Sequence, residues 1–324
     1  MKKSCAIAGA LAGLAGLALG ATEAAAQNAR CVEGPITIVV PRSPGGGLDL
    51  LGRMVGAEWA KTLGADVVIE NVEGAGGAIG LAQAFRAPAD GTTIVSWSPP
   101  GEYILQLQGR LQFTVDDWEM IGATNSDPGT IAVPSDSSYK SVNDVIDASK
   151  NGSRRLASGT VGRTTISALE SMLYQNLFSV KWGLVPFDGG GDLATAVLGG
   201  HVDLAVREGG FYDLHPSKLR ILAVANETRI NELPDVPTVE EATGKKVIYA
   251  AYRGFAVKKG TPPEVVACLR ETFNEAAKSP AIVENQFKQI GFRYEFLDAE
   301  AFKAADKRLD AFADEFKNQI LGTE

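Results

Sequence analysis

Short runs of β-branched residues, each followed by a glycine-rich segment and then by an amphipathic stretch, recur along this chain. The first run is Ile36–Val40 with the glycine-rich segment Ser43–Gly47, and further glycine-rich segments occupy 74–77, 158–162 and 189–191. A strand that leads through a short loop into a helix is the repeating unit of parallel α/β sheets. The sequence therefore predicts an α/β fold with mostly parallel sheets flanked by helices.

The N-terminus has the pattern of a secretory signal peptide. Lys2 and Lys3 precede an apolar stretch from Ala6 to Leu19, and the alanines at 24–26 follow as a cleavage site. We therefore expect residues 1–26 to be removed on export. The apolar stretch is too short to span a bilayer, and no later segment has 18 consecutive apolar residues.

Composition argues against several function classes. The chain carries 31 basic and 39 acidic side chains, for a formal net charge of −8, which is unfavourable for binding nucleic acid. The two histidines, His201 and His215, have no partners at metal-binding spacing, and no G-x-S-x-G motif is present. We therefore expect no metal, no cofactor and no catalytic centre.

Two cysteines, Cys31 and Cys268, follow the predicted signal peptide. In an oxidising compartment an even pair is compatible with a disulfide. At 100° per residue, Cys268 falls beside Glu264 and Glu271 on the polar flank of its helix, so it is not a core thiol. A bridge would join the N-terminus to this late helix, and two free thiols are the alternative.

Periodicity also predicts individual elements. Helices are expected at about 48–63, 78–86, 141–149 and 164–178, from Asp192, from Pro263, and along a final apolar stripe from Phe302 to Ile320. Strands are expected at 36–40, 67–70, 93–98, 131–133, 156–158, 204–206 and 219–225, and near 185. The segment 261–264, Thr-Pro-Pro-Glu, has the pattern of a capping box with proline at the first helical position.

The glycine-rich loops point to an anion site. Each loop leads into a helix N-terminus, whose unpaired N–H groups carry a partial positive charge. Glycine in the loop lets a ligand approach these groups closely. Open α/β sheets bind ligands beyond the carboxyl ends of their strands. For any single loop an ordinary turn is the alternative, but four loops, two in each half of the chain, favour binding. A protein that binds a ligand without catalysing a reaction is consistent with the missing catalytic motifs.

Six sequence blocks between Pro35 and the C-terminus carry a family resemblance. They are PITIVVPRSPGGGLDLLGR, VVIENVEGAGGAIG, PADGTT, VPFDGGGDLATAVLGGHVDLAV, LRILAVANETRINELPDVPTVEEATG and GFAVKKGTPPEVV. In this order they closely resemble the Bug family of periplasmic solute-binding proteins, the extracytoplasmic receptors of tripartite tricarboxylate transporters. The resemblance implies a two-lobe Venus-flytrap fold (type II), with residues 27–125 plus 252–324 in the first lobe and 126–251 in the second.

The resemblance also implies a ligand and the residues that hold it. The ligand would be a small carboxylate, such as a di- or tricarboxylate, bound in the periplasm by a monomer and delivered to the membrane subunits of the transporter. First-lobe loops would hold one carboxylate, and a second-lobe loop and helix start would hold the distal part. By position, the ligand-binding residues are Ser43, Gly46, Gly47, Ala75, Gly76, Gly77, Thr160, Gly162, Thr164, Thr165 and Asp192.

The sequence departs from the family pattern beside these loops. Arg42 stands where an aromatic residue is common, and Arg163 where serine is usual. Either arginine could pair bidentately with a second carboxylate, with a solvated loop arginine as the alternative. Asp192 is either a helix cap or, if it faces the cleft, a contact that favours a cationic or hydroxyl group. Asp49 is interpreted as a cap.

The leading hypothesis is a receptor whose two lobes close on a small carboxylate. One alternative is the same fold acting as the ligand-loaded partner of a membrane sensor kinase. The other is a secreted α/β enzyme that acts on a carboxylate, against which stand the poorly placed histidines and the lack of a nucleophile motif.

Overall fold

The computed structural model describes residues 31–163, 165–187, 190–208 and 218–321. The predicted signal peptide and Thr164 lie outside the described residues. The helices are α1 (Gly47–Leu63), α2 (Ala78–Arg86), α3 (Gly101–Leu107), α4 (Val142–Asn151), α5 (Ile166–Phe178), α6 (Gly190–Leu198), α7 (Val239–Thr243), α8 (Pro263–Ala277), α9 (Pro280–Val283), α10 (Gln286–Ile290), α11 (Ala299–Glu315) and α12 (Lys317–Leu321). The strands are β1 (Ile36–Val40), β2 (Val67–Asn71), β3 (Thr93–Trp97), β4 (Trp118–Pro134), β5 (Ala157–Val161), β6 (Gly183–Phe187), β7 (Leu204–Glu208), β8 (Leu219–Val224), β9 (Ala250–Lys258) and β10 (Tyr294–Asp298).

The strands form one sheet with the order β2-β1-β3-β9-β4-β7-β5-β6, and β10 and β8 also pair with β4. Strand β1 is parallel to β2 and β3, and β5 is parallel to β6 and β7. Because β9 runs antiparallel to both β3 and β4, strand β4 points the same way as β1–β3. Strands β7 and β8 are both antiparallel to β4 and so share the direction of β5 and β6. The predicted α/β fold with mostly parallel strands is confirmed.

Strand β4 joins the two halves of the sheet. Its residues 118–128 pair with β9, and residues 129–134 pair with β7 or β8. We call the half with β1–β3, β10, α1–α3 and α8–α12 the first lobe, and the half with β5–β8 and α4–α7 the second lobe. Strands β4 and β9 run side by side where the first lobe meets the second.

The middle of β4 is polar and buried, and charged side chains from the first lobe hold it. Arg253 Nη1 lies 2.7 Å from Asp127 Oδ2 and 2.5 Å from Asn125 Oδ1. The backbone N–H of Arg293 donates to Asp127 Oδ1 at 2.9 Å, and the amide of Gln286 donates to the carbonyl of Thr124 at 2.8 Å. These bonds offset the cost of taking polar groups out of water.

Apolar side chains fill the space between the sheet and its helices. In the first lobe, the Trp59 ring of α1 lies 5.7 Å from Phe255 of β9 and 5.2 Å from Phe273 of α8, between ring centroids. In the second lobe, Leu193 and Val197 of α6 are fully buried against the sheet. The predicted apolar helix faces are thus core faces, because burying them removes their surface from water.

The structure joins Cys31 and Cys268 in a disulfide, with their Cα atoms 5.5 Å apart although the two residues are 237 positions apart in sequence. Cys31 precedes β1, and Cys268 lies on α8. The bridge therefore ties the N-terminal segment to a helix from the far end of the chain.

Several predicted element bounds are corrected. Residues 159–161, predicted as a loop, belong to β5, because they pair with β6. The final apolar stripe is divided between α11 and α12 at Phe316. Thr261 forms no capping box, because its hydroxyl donates to the carbonyl of Lys258 at 2.8 Å. Pro263 does occupy the first helical position of α8.

Candidate functional site

A cleft of about 380 Å³ lies between the lobes at the carboxyl ends of their strands. The first lobe lines it with Arg42, Gly76, Ser98, Gly101, Ile104, Leu105, Gln108 and Arg110. The second lobe lines it with Val161, Thr165, Ile166, Ser167 and Glu208. Its position agrees with the rule that open α/β sheets bind ligands beyond the carboxyl ends of their strands.

A larger cavity of about 840 Å³ opens elsewhere, between the C-terminal ends of α5 and α11. Its walls come from helix ends rather than from the glycine-rich loops. The Asn176 amide donates to Glu315 Oε1 at 2.9 Å and joins the two helices beside it. The smaller cleft is the candidate site, because it alone of the two combines both lobes, the glycine-rich loops and the strand ends.

Arg42 connects two first-lobe loops beside the cleft. Its Nη1 donates to the carbonyl of Pro41 at 2.7 Å and to the carbonyl of Gly76 at 3.0 Å. A Cβ at Gly77 would lie 2.1 Å from this same nitrogen, so the guanidinium occupies the space that glycine leaves. A guanidinium has five N–H donors, so groups beyond the two backbone contacts remain for a ligand carboxylate.

The loop after β2 has an unusual backbone. Gly74, Ala75, Gly76 and Gly77 have φ angles of 120°, 49°, 70° and 104°, all in the left-handed region. Glycine adopts these angles without a steric penalty, and Ala75 does so at a cost of about 1 kcal/mol or more. Consecutive turn residues of this kind direct backbone N–H groups into a concave surface that attracts anions.

Asp49 holds the first glycine-rich loop in place. Its Oδ2 accepts from the N–H of Gly45 at 2.8 Å, and its Oδ1 accepts from the amide of Asn71 at 2.9 Å. Arg53 Nη2 lies 3.0 Å from the same Oδ1. Burial acts to raise the pKa of Asp49, but the hydrogen bonds from Arg53, Gly45 and Asn71 lower it overall. The N-cap of α1 is Gly46, without a side-chain cap hydrogen bond, so the interpretation of Asp49 as a cap is corrected: it lies in the first turn and fixes the preceding loop through Gly45.

Other predicted first-lobe residues lie beside the cleft rather than in its lining. The Ser43 hydroxyl donates to the carboxylate of Glu73. Gly46 is exposed. Gly47 packs under the ring of Phe292, since a Cβ there would lie 2.3 Å from Cζ of that ring. Their predicted contacts with a ligand stay predictions.

The second lobe presents the N-terminus of α5 to the cleft. Thr165 is the N-cap of this 13-residue helix, and its hydroxyl donates to the carbonyl of Val161. The Ser167 hydroxyl accepts from the N–H of Val161 at 3.0 Å. These side chains fix the loop, and the first-turn N–H groups of α5 keep the partial positive charge that favours an anion.

Four other predicted second-lobe residues, Thr160, Gly162, Arg163 and Asp192, do not line the cleft. Thr160 lies inside β5, 1% exposed, and its hydroxyl donates to the carbonyl of Gly162 at 3.0 Å. Arg163 and Asp192 are exposed. Thr164 lies outside the described residues, so its predicted role stays a prediction, as do the ligand contacts of the other four.

Two charged residues in the lining were not predicted from the sequence. Arg110 follows α3, and a Cβ at Gly76 would lie 4.0 Å from its Nη1. Glu208 is the last residue of β7. The rule on strand carboxyl ends could have singled out Glu208. Arg110 has no comparable signal, because only the fold of α3 brings it to the loop at 74–77.

A buried carboxyl group lies close to Arg42. Glu102, in the first turn of α3, is 2% exposed, and its Oε1 accepts from the N–H of Ser98 at 3.0 Å. Burial raises the pKa of Glu102 to about 7, although the charge of Arg42 and the Ser98 hydrogen bond act in the opposite direction. This acid is therefore close to half-protonated at neutral pH.

Within the described ranges, no group of three or more histidine, cysteine or acidic side chains is arranged to hold a metal ion. No helix in the same part of the chain has the length and apolar character needed to span a lipid bilayer. The site consists of backbone N–H groups, guanidinium groups, hydroxyls and one cleft-lining carboxylate, which can bind and orient a small anion.

Comparisons with known proteins agree with this arrangement. The tripartite tricarboxylate transporter family receptor, TctC, matches residues 51–303. A UPF0065 protein of Agrobacterium vitis is 31% identical over 79% of this chain and 75% of its own length. BugT of Bordetella pertussis is 27% identical over 77% of this chain and 78% of its own length.

Solved structures agree as well. A TctC solute-binding protein from Polaromonas superposes with a TM-score of 0.80 at 29% identity, covering 89% of this chain and 98% of that one. The periplasmic binding protein BugD superposes with a TM-score of 0.67 at 26% identity, covering 89% of this chain and 98% of BugD. The fold and the interlobe cleft define a two-lobe solute-binding protein. The chain belongs to the TctC family of tripartite tricarboxylate transporter receptors, and the resemblance to Bug proteins is confirmed.

Proposed function

We propose that this protein captures a small organic acid in the periplasm and delivers it to the membrane subunits of a tripartite tricarboxylate-type transporter. One observation carries the proposal. The interlobe cleft has two guanidinium groups, those of Arg42 and Arg110, on one lobe and the N-terminus of α5 on the other. A carboxylate is the small group that both features favour.

Charge-assisted hydrogen bonds alone can supply the expected affinity. Each charge-assisted hydrogen bond contributes about 1.5–3 kcal/mol, so four would give about 6–12 kcal/mol before ordering and closure costs. Micromolar binding requires about 8 kcal/mol. A cleft of about 380 Å³ suits a compact acid.

Closure of the lobes would accompany binding. The proposed lobe boundaries, 125/126 and 251/252, fall on β4 and β9, the two strands that pass between the lobes. Contacts made to both lobes at once favour the closed state, because a ligand shifts an equilibrium only by its differential affinity for the two states. Export through cleavage after residue 26, and action as a monomer without a cofactor or metal, complete the proposal.

Calorimetric titration tests the proposal. We expect the purified protein to bind at least one acid from a panel of succinate, malate, citrate and glutarate with micromolar affinity. Arg42→Gln and Arg110→Gln should each weaken that binding about 10- to 100-fold, because each removes a charged donor. Arg86→Gln, which neutralises an exposed first-lobe arginine outside the cleft lining, should not. Absence of heat with every small anion would contradict the proposal.

A further inference from the structure

We propose that Glu208 decides which carboxylates enter this cleft, by accepting a hydrogen bond from an ammonium or hydroxyl group on the distal part of the ligand. The inference rests on the proposed function and adds a substrate class to it. The preferred ligands are amino acids or hydroxy acids, rather than dicarboxylates that carry no donor group.

The charges of the cleft are divided between the lobes. Arg42 and Arg110 line it from the first lobe, and Glu208 lines it from the second, together with Thr165 and Ser167. Glu208 ends β7, where its backbone pairs with Gly129 of β4, so a regular strand at the lobe junction fixes its position. A ligand that spans the cleft therefore meets cations at one end and a carboxylate at the other.

One oxygen of the Glu208 carboxylate lacks a donor in the described part of the chain. Its Oε2 is shielded from solvent and has no hydrogen-bond partner among the described residues. A carboxylate accepts hydrogen bonds only, and leaving a buried oxygen unpaired is unfavourable. A ligand donor in the cleft would relieve this cost, and a second ligand carboxylate would add repulsion.

A second acid lies close to Glu208. Glu170 of α5 is fully buried and packs against Gly129, where a Cβ would lie 1.9 Å from Glu170 Oε1. Burial raises the pKa of Glu170 well above its usual value, and the charge of Glu208 raises it further. Glu170 and Glu208 therefore lie near each other on the second-lobe side of the cleft.

The guanidinium of Arg207 does not change the sign of the charge that Glu208 presents to the cleft. Arg207 precedes Glu208 on β7 and interacts with its charge. Successive side chains of a strand point to opposite faces, and Arg207 does not line the cleft. The charge that a ligand meets at this position is therefore that of Glu208.

Glu208 could instead act only as a closure contact, paired with Arg42 or Arg110 when the lobes meet. The two roles predict different results. A closure contact affects every ligand alike, whereas a specificity contact changes the ratio between ligands that differ only in the donor group.

The test compares matched acids on wild-type protein and on Glu208→Gln, which keeps the shape and removes the charge. The pairs are succinate with aspartate, succinate with malate, and glutarate with glutamate, measured by calorimetric titration. In the wild type we expect the acid with the donor to bind at least about tenfold more tightly in one or more pairs. In Glu208→Gln this ratio should fall to about threefold or less, mainly through tighter binding of the acid without the donor. Glu240→Gln, the same change at an exposed second-lobe position, is the control and should keep the wild-type ratio.

Each other outcome contradicts the inference in an identifiable way. If Glu208→Gln weakened the binding of all these acids equally, Glu208 would be a closure contact, and its role in specificity would be overturned. An unchanged ratio, or a wild-type preference for succinate and glutarate, would overturn it while leaving the proposed function intact. If the wild type bound none of these acids, and none of the panel given above, the proposed function would fail together with this inference.

Discussion

Asp127 and Arg253 form an ion pair, with 2.7 Å between Oδ2 and Nη1, on the two neighbouring strands that connect the lobes. The side chains are only 2% and 14% exposed. The same guanidinium stacks on the Phe292 ring, 3.9 Å from its centroid, and that ring covers Gly47 at the start of α1. The lobe junction is thus linked by direct contacts to the first glycine-rich loop.

Removal of one partner of this pair should destabilise the protein strongly. We expect Asp127→Ala to lower the free energy of unfolding by about 3–5 kcal/mol, because Arg253 would be left as a mostly buried charge without its partner. Urea unfolding followed by circular dichroism measures the change. Glu227→Ala breaks the exposed Glu227–Lys246 pair and should cost no more than about 1 kcal/mol. Equal losses in the two variants would contradict this account of the junction.

The contact between Gly77 and Arg42 makes a second prediction. Gly77→Ala places a Cβ 2.1 Å from Arg42 Nη1 and 3.1 Å from the carbonyl of Pro41, so the guanidinium must move. We expect carboxylate affinity to fall about tenfold, as for loss of one charge-assisted hydrogen bond. Calorimetric titration measures it.

A matched control separates displacement of Arg42 from backbone strain. Gly244→Ala puts alanine at a comparable φ of 72° in the second lobe, where nothing lies within 4 Å of the new Cβ. It should cost about 1 kcal/mol of stability through strain alone and leave affinity unchanged. Unaltered affinity in Gly77→Ala would show that the guanidinium position does not matter for binding.

Glu102 predicts a pH dependence of stability. Burial raises its pKa to about 7, so the folded chain retains a proton that the unfolded chain releases above pH 4–5. The stability that this group contributes is therefore present at low pH and is lost as the pH rises through about 7. Burial raises the pKa of Asp306 to about 6 and that of Asp310 to about 8, so both act in the same direction.

The variant Glu102→Gln isolates this contribution, because an amide oxygen can still accept from the N–H of Ser98. Relative to wild type, the variant should gain stability from pH 5 to about pH 7 and then level off, by at most about 3 kcal/mol in total. Thermal unfolding without added ligand, in steps of half a pH unit, records the difference. The exposed Glu271→Gln should show no such trend. A constant difference across the range would mean that Glu102 is ionised throughout.

The disulfide makes a fourth prediction. We expect the double variant Cys31→Ser/Cys268→Ser to lose about 2–5 kcal/mol of unfolding free energy, because the bridge closes a very long loop and so restricts the unfolded chain. Urea unfolding measures the loss. Binding should change less than about twofold, since Cys31 precedes β1 and the cleft lies beyond the other end of that strand. Recovery of both thiols in free form by peptide mapping of the native protein would remove the basis of this prediction.

Much of the fold was predictable because its signals are local. The runs at 36–40 and 67–69 are mostly β-branched and apolar, and the stripes of α1, α5 and α8 repeat at helical spacing, so each segment indicates its own structure. Strand β4 was predicted only near its end. Its buried middle is polar, from Thr124 to Asp127, and such a run resembles a loop until Arg253 and Arg293 are placed beside it.

The candidate site was predictable in part for the same reason. Glycines mark the loops at 43–47 and 74–77, and beside them Arg42 departs from the family pattern, in which an aromatic residue is common. Arg110 carries no local signal, since an isolated charged residue after a helix is ordinary, and Glu208 is marked only by its place at the carboxyl end of β7. They became candidates only when the lobes brought them to the same cleft.

The sequence by itself determined the α/β class and the loops that follow the strands, because propensity, periodicity and glycine placement act over a few neighbouring residues. Its longer sequence blocks determined the family by their resemblance. The tertiary structure decided that Ser43 pairs with Glu73, that Thr160 is enclosed in β5, and that Glu208 lies across the cleft from Arg42. These relationships depend on distances between segments far apart in the chain. Packing and hydrogen bonding set those distances only after the strands have assembled into one sheet.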